Sequence, residues 1–413
     1  SNFNAERVYQ TDMRFNLGFL DQKLTIGLDL YNRQTIGMLT TGFISSATGW
    51  ENIPYKNEGN MRNRGWELSA NANNIIKVGK FGVDLYLNFA NNENLITKMD
   101  ELTLENRNKD DEIEYMTNGK TLQRVQVNNP FGAIYGFRCK GTYQYKYSTA
   151  EKIARDDRKN GTTKLQDMID QGYTIPIALA AATDEHPYGK VVYNEKSEPI
   201  QMMYYYKQKD ASYISKFDGG DAMYEDTNND GQIDNLDLVY LGSSLPKLNG
   251  GFGFTFRYGH WRLSTQFNYR VDIDVFNQAR MNMENMNGTT NQSQAVNYRW
   301  RKEGDGGFNS YLPRALSSTL HQNYNTLISD RFIEDASFVR MNYLSLNYSF
   351  DSKLIKKWHL NTLNFYLNTN NLFCLTKYSG VEPEIGAGGQ GVATDGSKTP
   401  RPRQFTFGIN IGF

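Results

Sequence analysis

The residues of this chain most suited to binding a metal lie in one acidic stretch. Its candidate calcium ligands are Asp226, Asn228, Asp230, Gln232, Asp234 and Asp237. They occupy positions one, three, five, seven, nine and twelve of a loop with EF-hand spacing, in which position seven binds through its backbone carbonyl. Gly231 permits the sharp turn at position six. Because Ca²⁺ takes about six to eight hard oxygen ligands, the spacing predicts a calcium site.

Two features of this stretch leave a second interpretation open. Asp237 stands where such loops usually carry Glu, which makes its reach and bidentate geometry less favourable. A solvated turn rich in Asp and Asn would have a similar composition. The flanking segments lack a long amphipathic helical period, so a true site is expected to be structural rather than a sensor.

The remaining reactive residue types form no catalytic pattern. Cys139 and Cys374 are far apart and show no CxxC or Cys/His spacing, so isolated thiols are expected. The sequence contains no nucleophile elbow, phosphate loop or HExxH motif. It therefore predicts that the protein is not an enzyme.

Composition favours a membrane-inserted β-protein. Lys and Arg together number 45, as do Asp and Glu, so no global field points to a nucleic-acid partner. No apolar run approaches the roughly 20 residues of a spanning helix, and membrane insertion would have to use strands. The 27 Tyr, 23 Phe and 36 Gly suit strands with aromatic girdles and many turns. The first residues do not resemble a signal peptide, so we expect the chain to begin after a removed one or within a longer protein.

The last nine residues give the clearest strand pattern. Phe405, Phe407, Ile409, Ile411 and Phe413 fall on one face of an extended strand, because strand side chains alternate with period two. An apolar face that ends on an aromatic residue is typical of outer-membrane β-barrels. A soluble sheet that packs this face on a core would show the same alternation.

Five predicted hairpins precede this strand and bring the total to eleven strands. Their alternating segments lie within residues 13–30, 66–89, 120–143, 252–275 and 344–367. Connections within a hairpin are short, whereas those between hairpins are long: residues 35–60, 92–119, 145–248, 277–336 and 376–402. Short turns at one end of the strands and long loops at the other end are typical of an outer-membrane barrel. Long structureless loops are uncommon in compact soluble domains.

The strand count and loop lengths predict an orientation. If the short turns are periplasmic, the carboxyl terminus is periplasmic and the long loops are extracellular, including the calcium loop within residues 145–248. An odd strand count with an unpaired first strand predicts part of a wider barrel. Its wet lumen would be lined by charges that alternate with the apolar positions, namely Asp29, Glu67, Asp84, Arg257, Arg270, Asp272 and Asp274.

Ordered motifs run along the whole chain, in the segments 57–68, 134–143, 226–246, 330–340, 370–373, 378–384 and 400–403. Together they resemble the SusC/RagA family of TonB-dependent outer-membrane transporters. The resemblance implies that residues 1–413 are the C-terminal part of an all-β, transmembrane antiparallel β-barrel of about 22 strands. This chain would supply roughly the last 11, and the N-terminal plug would lie outside it.

The resemblance also implies active import of nutrient oligomers, either oligosaccharides or, as second choice, peptides. The implied partners are a SusD-like surface lipoprotein, the TonB complex and outer-membrane lipid, with transporter–lipoprotein pairs forming dimers. Substrate-contact residues stay unknown. Aromatic residues that could stack on sugars, or simply pack the loops, are Trp50, Tyr204, Tyr205, Tyr206 and Trp300. Two other functions stay open: a secreted calcium-binding β-domain that binds glycans, and a passive or structural barrel.

Overall fold

A computed structural model describes most of the chain. The described residues are 4–41, 55–101, 103–104, 124–171, 205–206, 215–228, 232–286, 290–305, 312–316, 325–387 and 391–413. Within this part of the chain no helix is both long and apolar enough to cross a membrane.

Strands dominate the described residues. In chain order they are β1 (Arg7–Phe19), β2 (Leu24–Thr41), β3 (Tyr55–Val78), β4 (Phe81–Met99), β5 (Ala133–Gly136), β6 (Cys139–Thr142), β7 (Tyr205–Tyr206), β8 (Ser215–Lys216), β9 (Ala222–Tyr224), β10 (Gln232–Ile233), β11 (Val239–Ser243), β12 (Leu248–Tyr258), β13 (Trp261–Val271), β14 (Asp274–Phe276), β15 (Ile333–Asp335), β16 (Phe338–Ser349), β17 (Thr362–Thr376) and β18 (Gln404–Gly412). The α-helices are α1 (Tyr147–Asn160), α2 (Lys164–Asp170), α3 (Gln278–Glu284) and α4 (Ser352–Ile355). Short 3₁₀ helices cover Asn235–Asp237, Gln294–Tyr298, Asp330–Phe332 and Lys356–Trp358.

The described residues build one large antiparallel sheet of nine strands. Its order is β1-β2-β3-β4-β12-β13-β16-β17-β18, so neighbours in space are also neighbours along the chain once the short strands are set aside. Short turns join β1 to β2, β3 to β4 and β12 to β13, and Gly79 and Gly259 supply the positive φ that the last two turns require. The long connections all lie at the opposite end of the sheet, hereafter the long-loop end.

The strand register separates the sheet into an apolar face and a polar face, as the alternation predicts. One row of register partners across eight strands is apolar throughout: Leu17, Ile26, Ala70, Leu87, Phe252, Phe267, Met341 and Phe373. A row on the other face is Asn16, Gly27, Ser69, Asn88, Gly251, Asn268, Arg340 and Cys374. Because a slip of one residue would move a strand's whole apolar set to the other face, the shared pattern fixes the register.

Aromatic residues mark the apolar face near the short turns. Phe81, Tyr258, Trp261 and Tyr348 are successive register partners, and the rings of Trp261 and Tyr348 lie 4.7 Å apart. Tyr258 and Trp261 remain 64% and 48% exposed. Exposed aromatic residues at one level of an apolar band are the pattern of a barrel girdle at a membrane interface.

The prediction of a third hairpin within residues 120–143 is wrong. β5 pairs with β11 and β6 pairs with β9, so neither joins the large sheet, and residues 124–127 form no strand. Ile134, Tyr135 and Phe137 are all buried. A segment that buries consecutive side chains needs cover on both faces, and the long-loop end provides that cover.

The predicted loops and strand ends also need correction. β2 ends at Thr41 and β3 begins at Tyr55, so both strands extend well into the expected loop of residues 35–60. The reason is that ladder pairing persists after the apolar pattern has ended. β13 stops at Val271, and Asp272 adopts a φ of 57°. Asp274 begins β14, which pairs with β15. Asp272 and Asp274 therefore do not continue the polar face of β13.

A compact core lies at the long-loop end. One cluster of buried residues comprises Phe137, Cys139, Tyr143, Phe217, Ala222, Met223, Tyr224, Ile233 and Leu327. Two further clusters surround Phe332 and Tyr378. The first cluster packs residues of β6, β9 and β10 together and so positions the acidic loop.

Candidate functional site

Two cavities lie against the polar face and share part of their walls. Their volumes are 810 and 820 Å³, and both are lined by Asp29, Glu67, Ala90 and Asn249. Amide side chains contribute much of the remaining surface, including Asn63, Asn88, Asn92, Gln266, Asn268 and Asn342. Together the cavities form one polar wall that can hydrogen-bond to a ligand. Each cavity volume lies within the range of roughly 300–1,000 Å³ that is usual for ligand pockets.

The polar face carries ion pairs where the sequence predicts a charged lumen. Arg14 Nε lies 2.6 Å from Asp29 Oδ1, and Arg257 Nη2 lies 2.7 Å from Asp84 Oδ1. Arg14 on β1 is the direct register partner of Asp29 on β2. Arg257 lies on β12, which pairs with the strand β4 that carries Asp84. The prediction that Asp29, Glu67, Asp84, Arg257 and Arg270 share the polar face is confirmed.

Glu67 is a carboxylate of this face that forms no ion pair within the part of the chain that the structure describes. Asp29 and Glu67 are direct cross-strand partners, an arrangement that costs free energy because like charges face each other. Arg14 neutralises Asp29, whereas Glu67 is exposed and lines both cavities. Glu67 can therefore accept hydrogen bonds from a ligand or from another part of the protein.

The segment between β17 and β18 folds back over the polar face. Ile385, Gly386 and Ala387 line the 810 Å³ cavity together with strand residues such as Asn268. Arg340 of β16 forms a buried ion pair with Glu382, and Arg401 Nη2 lies 2.9 Å from Glu384 Oε1. The first pair ties the segment to the large sheet, and the second joins two parts of the segment to each other.

Several residues of the family-like motifs thus serve as a scaffold, a role that sequence reasoning missed. Arg331 Nη2 lies 2.7 Å from Glu284 Oε2 in a second buried ion pair. The Tyr378 hydroxyl donates a 2.7 Å hydrogen bond to Asp395. The sequence did contain a signal for this role, namely the Arg and Glu residues inside the motifs. Such residues are almost never fully buried unless they are paired, so their presence predicts ion pairs if the motifs are buried.

The structure places part of the predicted calcium loop at the edge of the buried core. Asp226, Asp234 and Asp237 are buried, whereas Asn228 is exposed. Asp230 and Gly231 lie outside the described residues, and Gln232 is described as part of β10. Ile233, between the ligand positions, is fully buried in the core cluster.

A capping arrangement holds the end of the acidic loop. The backbone N–H groups of Thr227 and Asp234 donate to the two carboxylate oxygens of Asp237, at 2.7 and 2.9 Å. Asp234 in turn accepts from the N–H of Leu236 at 2.8 Å. Each carboxylate oxygen of Asp237 retains a second lone pair, so the set can still offer oxygen ligands to a cation.

The pKa of Asp237 reflects its burial close to other carboxylates. Burial raises the pKa of Asp237 to about 7, and the nearby carboxylates of Asp226 and Asp234 act in the same direction. Hydrogen bonds from two backbone N–H groups oppose that rise. Within the described part of the chain, no three acidic, His or Cys side chains converge as a ready metal group.

The aromatic candidates for sugar stacking are only partly described. Trp300 is 7% exposed, and its indole N–H donates to the carbonyl of Gln144, so it packs the loops. Tyr205 and Tyr206 form β7, which pairs with β8 and β10. Trp50 and Tyr204 lie outside the described residues.

Comparison with known proteins gives a consistent set of relatives. No protein-family model matches the chain. It is 24% identical over 414 residues to TonB-dependent receptor P39 of Formosa agariphila, covering 99% of this chain and 36% of that protein. It is 25% identical over 424 residues to TonB-dependent receptor SusC of Bacteroides thetaiotaomicron, covering 100% of this chain and 32% of that protein. The chain thus spans about a third of the length of the curated relatives that it matches.

Solved structures agree on the fold. The structure of the RagAB peptide transporter matches with a TM-score of 0.61 at 19% identity, covering 99% of this chain and 35% of that chain. The RagAB peptide importer in its closed-closed state matches with a TM-score of 0.62, also at 19% identity.

By these matches the chain is SusC/RagA-like, that is, similar to TonB-dependent receptors of this type. Its two-faced antiparallel sheet has the fold of part of such a barrel. The prediction of an all-β, partial antiparallel barrel is confirmed. The relatives are receptors and transporters, as expected for a chain that is not an enzyme.

Proposed function

We propose that this chain forms part of the barrel wall of an importer that carries nutrient oligomers across the outer membrane with energy from TonB. The observation that supports the proposal best is the polar face, where adjoining cavities of 810 and 820 Å³ are lined by many amide side chains and by several charged ones. Such a wall exchanges hydrogen bonds with a hydrated oligomer, while the opposite face meets lipid.

Oligosaccharides are the first substrate class and peptides the second. Amide side chains both donate and accept hydrogen bonds, which suits the hydroxyl groups of sugars and the backbone of peptides. The likeness to the RagAB peptide transporter favours peptides, whereas the mainly uncharged lining favours neutral sugars. Substrate competition in uptake assays distinguishes the two classes.

We further propose that residues 1–413 are the C-terminal part of the receptor, with extracellular long loops and a periplasmic carboxyl terminus. The segregation of short turns and long connections supports this orientation. A SusD-like surface lipoprotein would cover the long-loop end, TonB would act through a region outside this chain, and two transporter–lipoprotein pairs would form a dimer.

The acidic loop is proposed to hold one Ca²⁺ with a structural role. Its spacing supports the site, as do the burial of Asp226, Asp234 and Asp237 and the mutual repulsion of these carboxylates, which a hard cation would relieve. Asp230 would contribute at loop position five. The ion would fix the loop that carries Ile233 into the core.

Uptake of labelled oligomers by cells that carry the full receptor tests the proposed function. We expect uptake to vanish when TonB is removed, while surface binding through the lipoprotein persists. Uptake that continues at the same rate without TonB would indicate a passive pore. Recovery of the protein as a soluble secreted species, with no heat-modifiable barrel in membranes, would favour a glycan-binding domain instead.

A further inference from the structure

The connection between β16 and β17 forms a short helical segment at the short-turn end of the sheet. α4 runs from Ser352 to Ile355 and continues directly into the 3₁₀ helix Lys356–Trp358. The Asp351 carboxylate caps its start by accepting a 2.7 Å hydrogen bond from the backbone N–H of Lys353. Residues 351–360 are hereafter the basic turn.

The basic turn begins at the level of the aromatic girdle. The backbone N–H of Ser349, two residues before it, donates a 3.0 Å hydrogen bond to the His260 carbonyl. Trp261 and Tyr348, the adjacent residues of the same two strands, are register partners on the apolar face. Because such a girdle marks the membrane interface, the basic turn starts where the sheet leaves the hydrocarbon.

One side of the basic turn packs against the sheet. α4 contacts β17, and Ile355, the buried residue of α4, is 2% exposed. The backbone N–H of Leu360 donates to the Ile355 carbonyl, which folds the segment back toward the start of β17. Leu363 on the apolar face of β17 is 9% exposed, whereas its partner Ile411 on β18 is 53% exposed. This difference fits a helix packed over the end of the apolar face.

Three exposed lysines share one side of the helical segment. Lys353, Lys356 and Lys357 have the i, i+3, i+4 spacing that makes side chains neighbours on a helix. None of them forms an ion pair within the part of the chain that the structure describes. Like charges at this spacing repel each other, so an anion bound among them would relieve that repulsion. The three ammonium groups can therefore reach one anionic group together.

Two large apolar side chains lie beside the lysines. Leu354 and Trp358 are 44% and 56% exposed, and their i, i+4 spacing puts them on one flank of the helical segment, between the lysines and Ile355. Exposed Leu and Trp next to Lys is the pattern of an amphipathic helix that lies in a membrane interface. Free phosphate could use the lysines but not this apolar flank, so the pair points to a lipid.

We propose that the basic turn binds an anionic glycerophospholipid in the leaflet at the short-turn end. The three lysines would hold the headgroup phosphate, while Leu354 and Trp358 would enter the acyl region. A zwitterionic headgroup carries an amine that the lysines repel, so a headgroup with net negative charge is preferred. The inference rests on the proposed membrane barrel, but neither on TonB nor on which oligomer is imported.

Lipid contact at Trp358 in the full-length receptor tests the proposal. The receptor is reconstituted in vesicles of equal phosphatidylglycerol and phosphatidylethanolamine, and only the species that carries bromine on its acyl chains is changed. The emission lost in Trp358→Phe relative to the parent isolates the Trp358 signal. Brominated phosphatidylglycerol should quench that signal more strongly than brominated phosphatidylethanolamine. The signal isolated by Trp261→Phe in the girdle should not discriminate between the two lipids.

Charge substitutions then test the lysines. Native mass spectrometry of receptor extracted from the unbrominated vesicles gives the ratio of retained phosphatidylglycerol to phosphatidylethanolamine. Lys356→Gln plus Lys357→Gln should lower this ratio about tenfold, because each lysine near an anionic surface contributes to lipid binding. The control Lys23→Gln plus Lys80→Gln removes two exposed lysines from separate turns at the same end and should keep the ratio. Heat-modifiable mobility of every variant shows whether the barrel itself inserts, which separates its failure from failure of the lipid site.

Four results in an inserted barrel would overturn the proposal. Equal quenching of Trp358 by the two lipids would show that the headgroup charge does not matter. Quenching by neither lipid would place the basic turn against water or a protein partner. An equal loss of phosphatidylglycerol in the control would indicate general surface charge. Loss of the lipid preference in excess inorganic phosphate at constant ionic strength would indicate a site for the free anion.

Discussion

Arg340 on β16 and Glu382 in the segment before the last strand form a buried ion pair, with side-chain exposures of 5% and 1%. The guanidinium of Arg340 also stacks over the Phe338 ring at 5.7 Å. This pair links the sheet to a segment that is far along the chain and that lines a polar cavity. It therefore shapes the wall on which the proposed transport depends.

Breaking this pair should loosen the segment between β17 and β18. Glu382→Gln leaves a buried arginine charge without its full partner, a change that typically costs about 3–5 kcal/mol. Limited proteolysis of the inserted barrel should show faster cleavage within residues 377–403. Arg14→Gln, which breaks an exposed pair worth about 0–1 kcal/mol, serves as the control. Equal cleavage rates in both variants would contradict the scaffold role.

The last strand should tolerate a charge on one face only. Phe407 is 70% exposed on the apolar face, and a lysine there should cost about 2–4 kcal/mol near the bilayer midplane. Thr406→Lys, one residue away on the polar face, should be close to neutral. Heat-modifiable mobility of membrane fractions measures the inserted amount. Similar insertion of both variants would show that the apolar face does not meet lipid.

Bound calcium should depend on the acidic loop. Asp226→Ala plus Asp230→Ala removes two of the proposed oxygen ligands, and metal analysis after dialysis should show the loss of one Ca²⁺ per chain. Asn235→Ala changes an exposed residue of the same loop that is not a proposed ligand, and should leave the content unchanged. Identical calcium in the parent and the double variant would rule out the site.

Cys139 should be an inert thiol in the folded protein. Burial raises the pKa of the Cys139 thiol to about 11 from an ordinary value of 9.0. At neutral pH very little of it is therefore the reactive thiolate. In a Cys374→Ser background, labelling by a thiol reagent should be slow at neutral pH and fast after unfolding. Because the folded state holds this proton longer than the unfolded state, the thiol's contribution to stability declines as pH rises from about 9 to about 11. Cys139→Ala should remove that part of the pH dependence, and fast labelling of the folded protein would contradict its burial.

Sequence alone predicted the two faces of the sheet and most of its hairpins. Alternation with period two is a local property, and in strands such as Leu24–Thr41 and Gln404–Gly412 it needs no knowledge of the partner strand. The charges at Asp29, Glu67 and Asp84 fell on the expected face for the same reason. The acidic spacing from Asp226 to Asp237 likewise stands in the sequence by itself, and its calcium remains a prediction.

Tertiary structure decided what depends on contacts between distant segments. Residues 133–142 look strand-like from sequence, but only the pairing of β5 with β11 and of β6 with β9 shows that they leave the large sheet. The break at Asp272 and the Arg340–Glu382 pair also arise from partners far along the chain. Periodicity records which face of a strand is buried, whereas the identity of the covering segment is set by packing and charge pairing in three dimensions.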